Sequence, residues 1–207
     1  MPTIIKLEAS KHIKGRVLVF FQDAELVKLT QDEVLLYQLY AGKELSPAEY
    51  NDLTEAAKRS SAKSTAARIC SARMLSRGEL LQKLHEKGEE AASSQLAADW
   101  LEELGILNDA RYAASVVRHY AGRGYGRKKL EQELFRRKVP RECWAAAMQE
   151  ADIPEDTLQR LIEKRLRGKV PDQKELGRLQ GFLLRRGFGW DEVREALEAF
   201  HPSDGEE

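Results

Sequence analysis

Long apolar stretches are missing from this chain. The longest, Val17–Phe21, is five residues, whereas a membrane-spanning helix needs about twenty. Met1–Lys6 lacks the basic region and following apolar run of a secretory signal. Cysteine is scarce: Cys70 and Cys143 lie 73 residues apart inside helical apolar patterns. They are expected to be small buried side chains in a reducing compartment rather than a disulfide, which points to the cytoplasm. The four histidines, His12, His85, His119 and His201, share no metal-ligand spacing with each other or with the cysteines. No glycine-rich loop ends in Lys-Ser or Lys-Thr. Gly122-Arg123-Gly124-Tyr125-Gly126 follows a helical pattern rather than a strand and reads as a helix break. Adjacent carboxylates such as Glu102–Glu103 and Asp191–Glu192 are expected to be solvated. No catalytic constellation emerges, and no enzyme activity, cofactor or metal is expected.

What the chain does have is repetition. Leu80–Leu84, Leu130–Leu134 and Leu179–Leu183 each form an i, i+4 apolar pair. Each pair is followed three positions on by a basic residue, Lys87, Arg137 and Arg186, at offsets of 50 and 49 residues. A period of this size marks a tandem array whose units bury apolar faces against their neighbours. Such arrays usually bind something long.

Charge keeps the same rhythm. The formal net charge is zero, yet residues 56–87, 111–141 and 158–186 carry +6, +8 and +6. The intervening 88–110 and 142–157 carry −6 and −5, and the stretch from 187 carries −6. One reading is a set of solvated helix faces that neutralise one another. The other is a basic stripe for a polyanion, with acidic helices turned away from it or toward a basic partner.

With 42% hydrophobic and 33% charged residues, the chain fits a helical globular protein and not wholesale disorder. Ile4–Glu8, Arg16–Phe21 and Glu25–Leu29 read as strands of a small antiparallel sheet, too small to stand alone and so packed on nearby helices. From residue 30 the pattern is helical. Thr30, Ser46, Ser76 and Asp172 each stand three residues before a glutamate, the capping-box spacing. Pro140 and Pro154 are expected to open further helices. Nine helices are expected in the array, near 61–74, 77–87, 93–104, 109–122, 126–138, 140–150, 154–167, 173–186 and 190–200. The organisation is then an N-terminal extension over 1–60 and three three-helix repeats over 61–107, 108–153 and 154–200, followed by a disordered tail over 201–207. The fold class is mainly α, an elongated tandem array preceded by a small sheet. Lys58–Thr65 is the best candidate for a hinge, and fits equally well the middle of a long helix from Ser46.

Dispersed motifs in order carry a family resemblance. Arg73-Met74-Leu75-Ser76-Arg77-Gly78-Glu79-Leu80, with Lys83-Leu84 and Lys87-Gly88, resembles the first-repeat signature of the RecX regulatory proteins, bacterial modulators of the RecA recombinase. Leu104-Gly105-Ile106-Leu107-Asn108-Asp109-Ala110-Arg111-Tyr112-Ala113 resembles that family's most recognisable segment, followed at the expected distance by Gly126-Arg127 and Glu133-Leu134. Leu184-Arg185-Arg186-Gly187-Phe188 is similar to the start of its last helix pair. Lys138 stands where the family usually has glycine. The resemblance implies a non-enzyme that binds RecA, notably in its filament on single-stranded DNA, and lowers its ATPase and strand-exchange activity.

In the helix at 126–138, burying Leu130 and Leu134 is expected to present Lys128, Lys129 and Arg136 outward. The expected filament and DNA contacts are Arg73, Arg77, Lys83 and Lys87 in the first repeat. In the second they are Arg118, Arg123, Tyr125, Arg127, Lys128, Lys129, Arg136, Arg137 and Lys138, and in the third Arg185 and Arg186. Trp100, Trp144 and Trp190, with Tyr112 and Tyr120, are expected to pack between helices, and Tyr125 to be the aromatic that meets DNA. Partners are then the RecA filament and single-stranded DNA, with double-stranded DNA as a further ligand and a monomeric state. A plain nucleic-acid-binding protein and a protein–protein scaffold are the competing readings.

Overall fold

A computed structural model describes residues 1–11, 13–23, 25–150 and 156–200. His12, Pro154 and the tail over 201–207 lie outside the described residues. The chain divides after Leu107 into two compact units. Described residues are mostly helical, with ten α-helices and one three-stranded sheet. No described helix is long and apolar enough to cross a membrane.

The first unit opens with strands β1 (Ile4–Ala9), β2 (Arg16–Phe21) and β3 (Val27–Thr30), antiparallel in the order β1-β2-β3. The third strand begins two residues later than expected, because pairing starts where Val27 meets Val19. It runs into Thr30, whose hydroxyl caps α1 (Gln31–Leu36). Ile4, Val19, Phe21, Val27 and Leu29 bury one sheet face against Leu53 and Ala57 of α2 (Pro47–Ala72). A three-stranded sheet needs such a backing to persist in water.

Helix α2 is continuous through Lys58–Thr65, so the hinge reading gives way to the long helix from Ser46. The composition resembles a linker because its hydroxyls have distant partners. Arg16, only 9% exposed, donates from Nη1 to Ser60 Oγ at 2.9 Å and from Nη2 to Ser60 O at 2.8 Å. Ser61 and Thr65 donate to Glu89 at 3.1 and 2.8 Å. Beyond them Ala62 and Ala66 turn toward a second core, shared with α3 (Arg77–Glu86) and α4 (Ala91–Glu103) and built on Leu80, Leu84, Ala97, Ala98 and Leu101. The one helix therefore serves both cores of the unit.

The second unit contains two helix triplets. Helices α5 (Asp109–Ala121) and α6 (Arg127–Arg136), a short 3-10 turn (Arg141–Cys143) and α7 (Trp144–Glu150) enclose Tyr112, Val117, Leu130, Leu134 and Ala147. Helices α8 (Thr157–Leu166), α9 (Gln173–Arg185) and α10 (Trp190–Glu198) enclose Leu158, Ile162, Leu179, Leu183 and Val193. The repeating leucine pairs are the fully buried centres of their triplets. All four capping boxes, at Thr30, Ser46, Ser76 and Asp172, form as the spacing predicts. Pro140 precedes the 3-10 turn that leads into α7. Cys70 and Cys143 are free, half-buried thiols against the α2–α4 and α5–α7 cores, and burial raises both pKa values above the ordinary thiol range.

Candidate nucleic-acid and filament interface

The three predicted groups of cations follow the repeating helices α3, α6 and α9, and the structure sorts their members into paired and unpaired. On α3, Arg77 is a clamp. Its guanidinium donates to Glu102 at 2.7 Å, to Asp99 at 2.6 Å and to Gln95 at 2.7 Å, tying α3 to α4. Glu102, expected to be merely solvated, is one of the three acceptors in that clamp. Arg73 pairs with Glu79 at 3.3 Å. Lys83 is half-buried and Lys87, at the C-cap of α3, is exposed.

Helix α6 holds the densest cluster, organised by a residue that composition alone passes over. Glu133 is 5% exposed. Lys129 lies four positions before it, and Arg136 and Arg137 three and four after, so all three reach one carboxylate on one flank of the helix. Lys129 Nζ is 3.1 Å from Oε1, Arg136 Nη2 is 2.7 Å from Oε2, and Arg137 Nη1 also donates to Oε2. Burial alone would raise the Glu133 pKa. Hydrogen bonds from Arg136, Arg137, Lys129 and Tyr120 outweigh it and hold the carboxyl at about 2. Burial likewise opposes the charge of Arg137, yet its pairing with Glu133 and Tyr120 lifts its pKa above the usual arginine range.

This corrects the expected geometry of α6. Lys129 does not point outward with Lys128: its side chain is half-buried and turned to Glu133. Arg136 remains exposed at 66% while paired. Arg137 is half-buried over the Tyr120 ring, 5.5 Å from its centroid. Arg127 and Arg118 are exposed and paired with Glu131 and Glu150 at 2.9 and 2.8 Å.

Arg186 is a joint between the two triplets of the second unit. Its Nη1 donates to the carbonyls of Arg123 and Gly124 at 2.6 and 3.0 Å. The guanidinium lies 4.9 Å from the Tyr125 ring centroid and 5.1 Å from that of Phe182. Tyr125, the aromatic expected to meet DNA, is half-buried between Tyr120 and Arg186. Trp100 and Trp144 pack as expected, Trp144 donating to Val139 O at 3.1 Å, whereas Trp190 is half exposed beside Arg194. Among the described residues, Lys83, Lys87, Arg123, Lys128, Lys138 and Arg185 form no ion pair. These six leave uncompensated charge available to a polyanion.

The order of these helices has counterparts in known proteins. Residues 108–148 match the second three-helix domain of RecX, and residues 154–197 its third. The regulatory protein RecX of Vibrio campbellii is 36% identical over 141 residues, covering 66% of this chain and 90% of that protein. The RecX of Trichlorobacter lovleyi is 37% identical over 129 residues, 82% of its length. In structure, a crystallised regulatory protein RecX superposes with a TM-score of 0.69 at 20% identity, over 96% of this chain and all of that one. RecX from Lactobacillus salivarius does so at 0.61, over 69% of this chain. The structural likeness shows the fold, the sequence match spans 90% and 82% of the two named relatives, and the chain belongs to the RecX family of regulatory proteins.

Proposed function

We propose that this protein is a negative regulator of the RecA recombinase. It binds the RecA–single-stranded DNA filament, lowers its ATPase, extension and strand exchange, and so modulates homologous recombination, DNA repair and the SOS response. It acts without catalysis, as a cytoplasmic monomer, and its basic helices also tolerate double-stranded DNA. The observation that carries the reading is membership of the RecX regulatory family. Lys128, Lys138 and Arg123, which form no ion pair among the described residues, supply the positive surface that the phosphate side of such a filament requires. Many weak contacts along a filament add through effective concentration.

The test is the single-stranded-DNA-dependent ATPase of the host RecA, titrated with this protein at several DNA concentrations. Inhibition well below one molecule per recombinase subunit, unrelieved by extra DNA, supports the filament as target. Relief by excess DNA assigns the protein instead to plain strand binding.

A further inference from the structure

Lys164, Arg165, Arg167, Lys169 and Arg178, at the end of α8 and along α9, belong to no predicted contact, yet they line two adjoining concavities. The smaller, about 350 Å3, is bounded by Arg165, Arg167, Lys169 and Arg178, with Glu175 as its carboxylate. The larger, about 790 Å3, adds Lys164, Phe182 and Arg186, with Glu163. Arg165 and Arg167 form the ridge common to both. Among the described residues, Lys164, Arg165, Arg167, Lys169 and Arg178 form no ion pair, although two carboxylates line the same hollows. Arg77, Arg127, Arg136, Arg137 and Arg160, by contrast, all have carboxylate partners.

Cations in the last turn of a helix ordinarily answer its exposed carbonyls and dipole. That accounts for Lys164 and Arg165. It does not account for Arg178, in the middle of α9, or for Lys169, beyond the end of α8. A concave wall of uncompensated charge concentrates anions, and guanidinium forks match phosphate oxygens. Arg165 also lies over the Phe182 ring, 4.8 Å from its centroid. An unpaired base laid on that guanidinium would extend a stack already in place.

We infer that the α8–α9 cleft is a single-stranded nucleic-acid site, in which successive phosphates occupy the two hollows on either side of Arg165 and Arg167 and a base stacks on the Arg165–Phe182 platform. The inference rests on the filament reading, which places a single strand beside the protein. Two hollows about one ridge suit a chain of phosphates better than a single carboxylate, and so favour nucleic acid over an acidic protein segment.

The test uses the full chain and a fluorescein-labelled oligothymidylate, with affinity measured by anisotropy across a salt series. The triple variant Arg167→Asn, Lys169→Gln, Arg178→Gln removes three cations that form no ion pair among the described residues. Its log–log salt slope should shrink by about 2, since each single-strand phosphate contact contributes about 0.7, and its low-salt affinity should fall at least tenfold. Arg178→Gln alone, an exposed change within a helix, should give about a third of that slope change. Unchanged slope and affinity would overturn the site. Unchanged oligonucleotide binding with weakened ATPase inhibition would overturn it too, assigning the cleft to the recombinase surface and leaving the filament reading intact. A wild-type chain that fails to bind the oligonucleotide at low salt would remove both the site and the DNA arm of that reading.

Discussion

Gly126 and Gly187 meet backbone to backbone. A Cβ on Gly126 would lie 2.6 Å from the carbonyl carbon and oxygen of Gly187, and one on Gly187 would collide with the backbone nitrogen of Lys129. The approach gives α6 its N-terminal cap. Gly126 N–H donates to Arg186 O at 2.9 Å and Lys128 N–H to Gly187 O at 3.0 Å, satisfying orphan donors that a glycine N-cap has no side chain to reach. Gly187 also sits at φ +90°. Gly187→Ala therefore combines a clash with backbone strain, and should cost about 3 kcal/mol in urea unfolding. Gly126→Ala, strained only by the clash, should cost about 2 kcal/mol. Wild-type stability in both variants would show that the two backbones can separate freely.

Glu133 ties stability to acid. Its pKa is held at about 2, below the ordinary 4.5. An unfolded chain therefore binds a proton more readily than the folded one throughout that interval. The stabilisation is fully present above about pH 5 and is lost as pH falls toward 2. Glu133→Gln should flatten that acid limb of the stability curve. At neutral pH it should destabilise by about 3 kcal/mol, because it leaves Arg137 half-buried without its counter-ion. Urea melts of both proteins between pH 2 and 7 test this, and parallel curves would contradict it.

The turn after α6 carries a small strain. The three repeating helices are each followed by a left-handed residue: Gly88 at φ +79°, Lys138 at φ +52° and Gly187 at φ +90°. Lysine thus follows the left-handed path that glycine takes after α3 and α9, at a cost of about 1–2 kcal/mol. Lys138→Gly relieves it, less the extra freedom glycine brings to the unfolded chain. The net gain should be about 0.5–1 kcal/mol in thermal or urea unfolding. A loss of stability would mean that the Lys138 side chain makes a contact the turn depends on.

Local signals were the legible part of this sequence. The capping boxes at Ser46, Ser76 and Asp172 and the leucine pairs depend on residues three or four positions apart, and each appears where spacing places it. Glu133 was within reach of the same reasoning, because Lys129, Arg136 and Arg137 stand at i−4, i+3 and i+4 from it. The net positive charge of the block masks the one carboxylate that holds Lys129, Arg136 and Arg137. Other features depend on partners far along the chain. Ser60 reads as linker until Arg16, 44 residues earlier, is placed on it. Arg186 reads as a surface cation until the carbonyls of Arg123 and Gly124, more than 60 residues away, are found beneath it.

That division among the cations separates stability from binding. Lys128 and Arg123 are exposed and form no ion pair among the described residues, whereas Arg77 holds three partners on α4. Removing an unpaired cation should leave the fold alone and weaken binding to a polyanion. Lys128→Gln with Arg123→Gln should reduce the salt slope of single-strand binding by about 1.4 if each meets one phosphate, with unfolding changed by less than about 0.5 kcal/mol. Arg77→Gln should do the reverse. It opens the α3–α4 clamp and should cost about 1–2 kcal/mol, within the range for charged hydrogen bonds on a partly exposed arginine, while leaving the slope unchanged. If Arg77→Gln flattened the slope while the double variant did not, the clamp would have to open on binding, and the paired cations would be the ones that reach the strand.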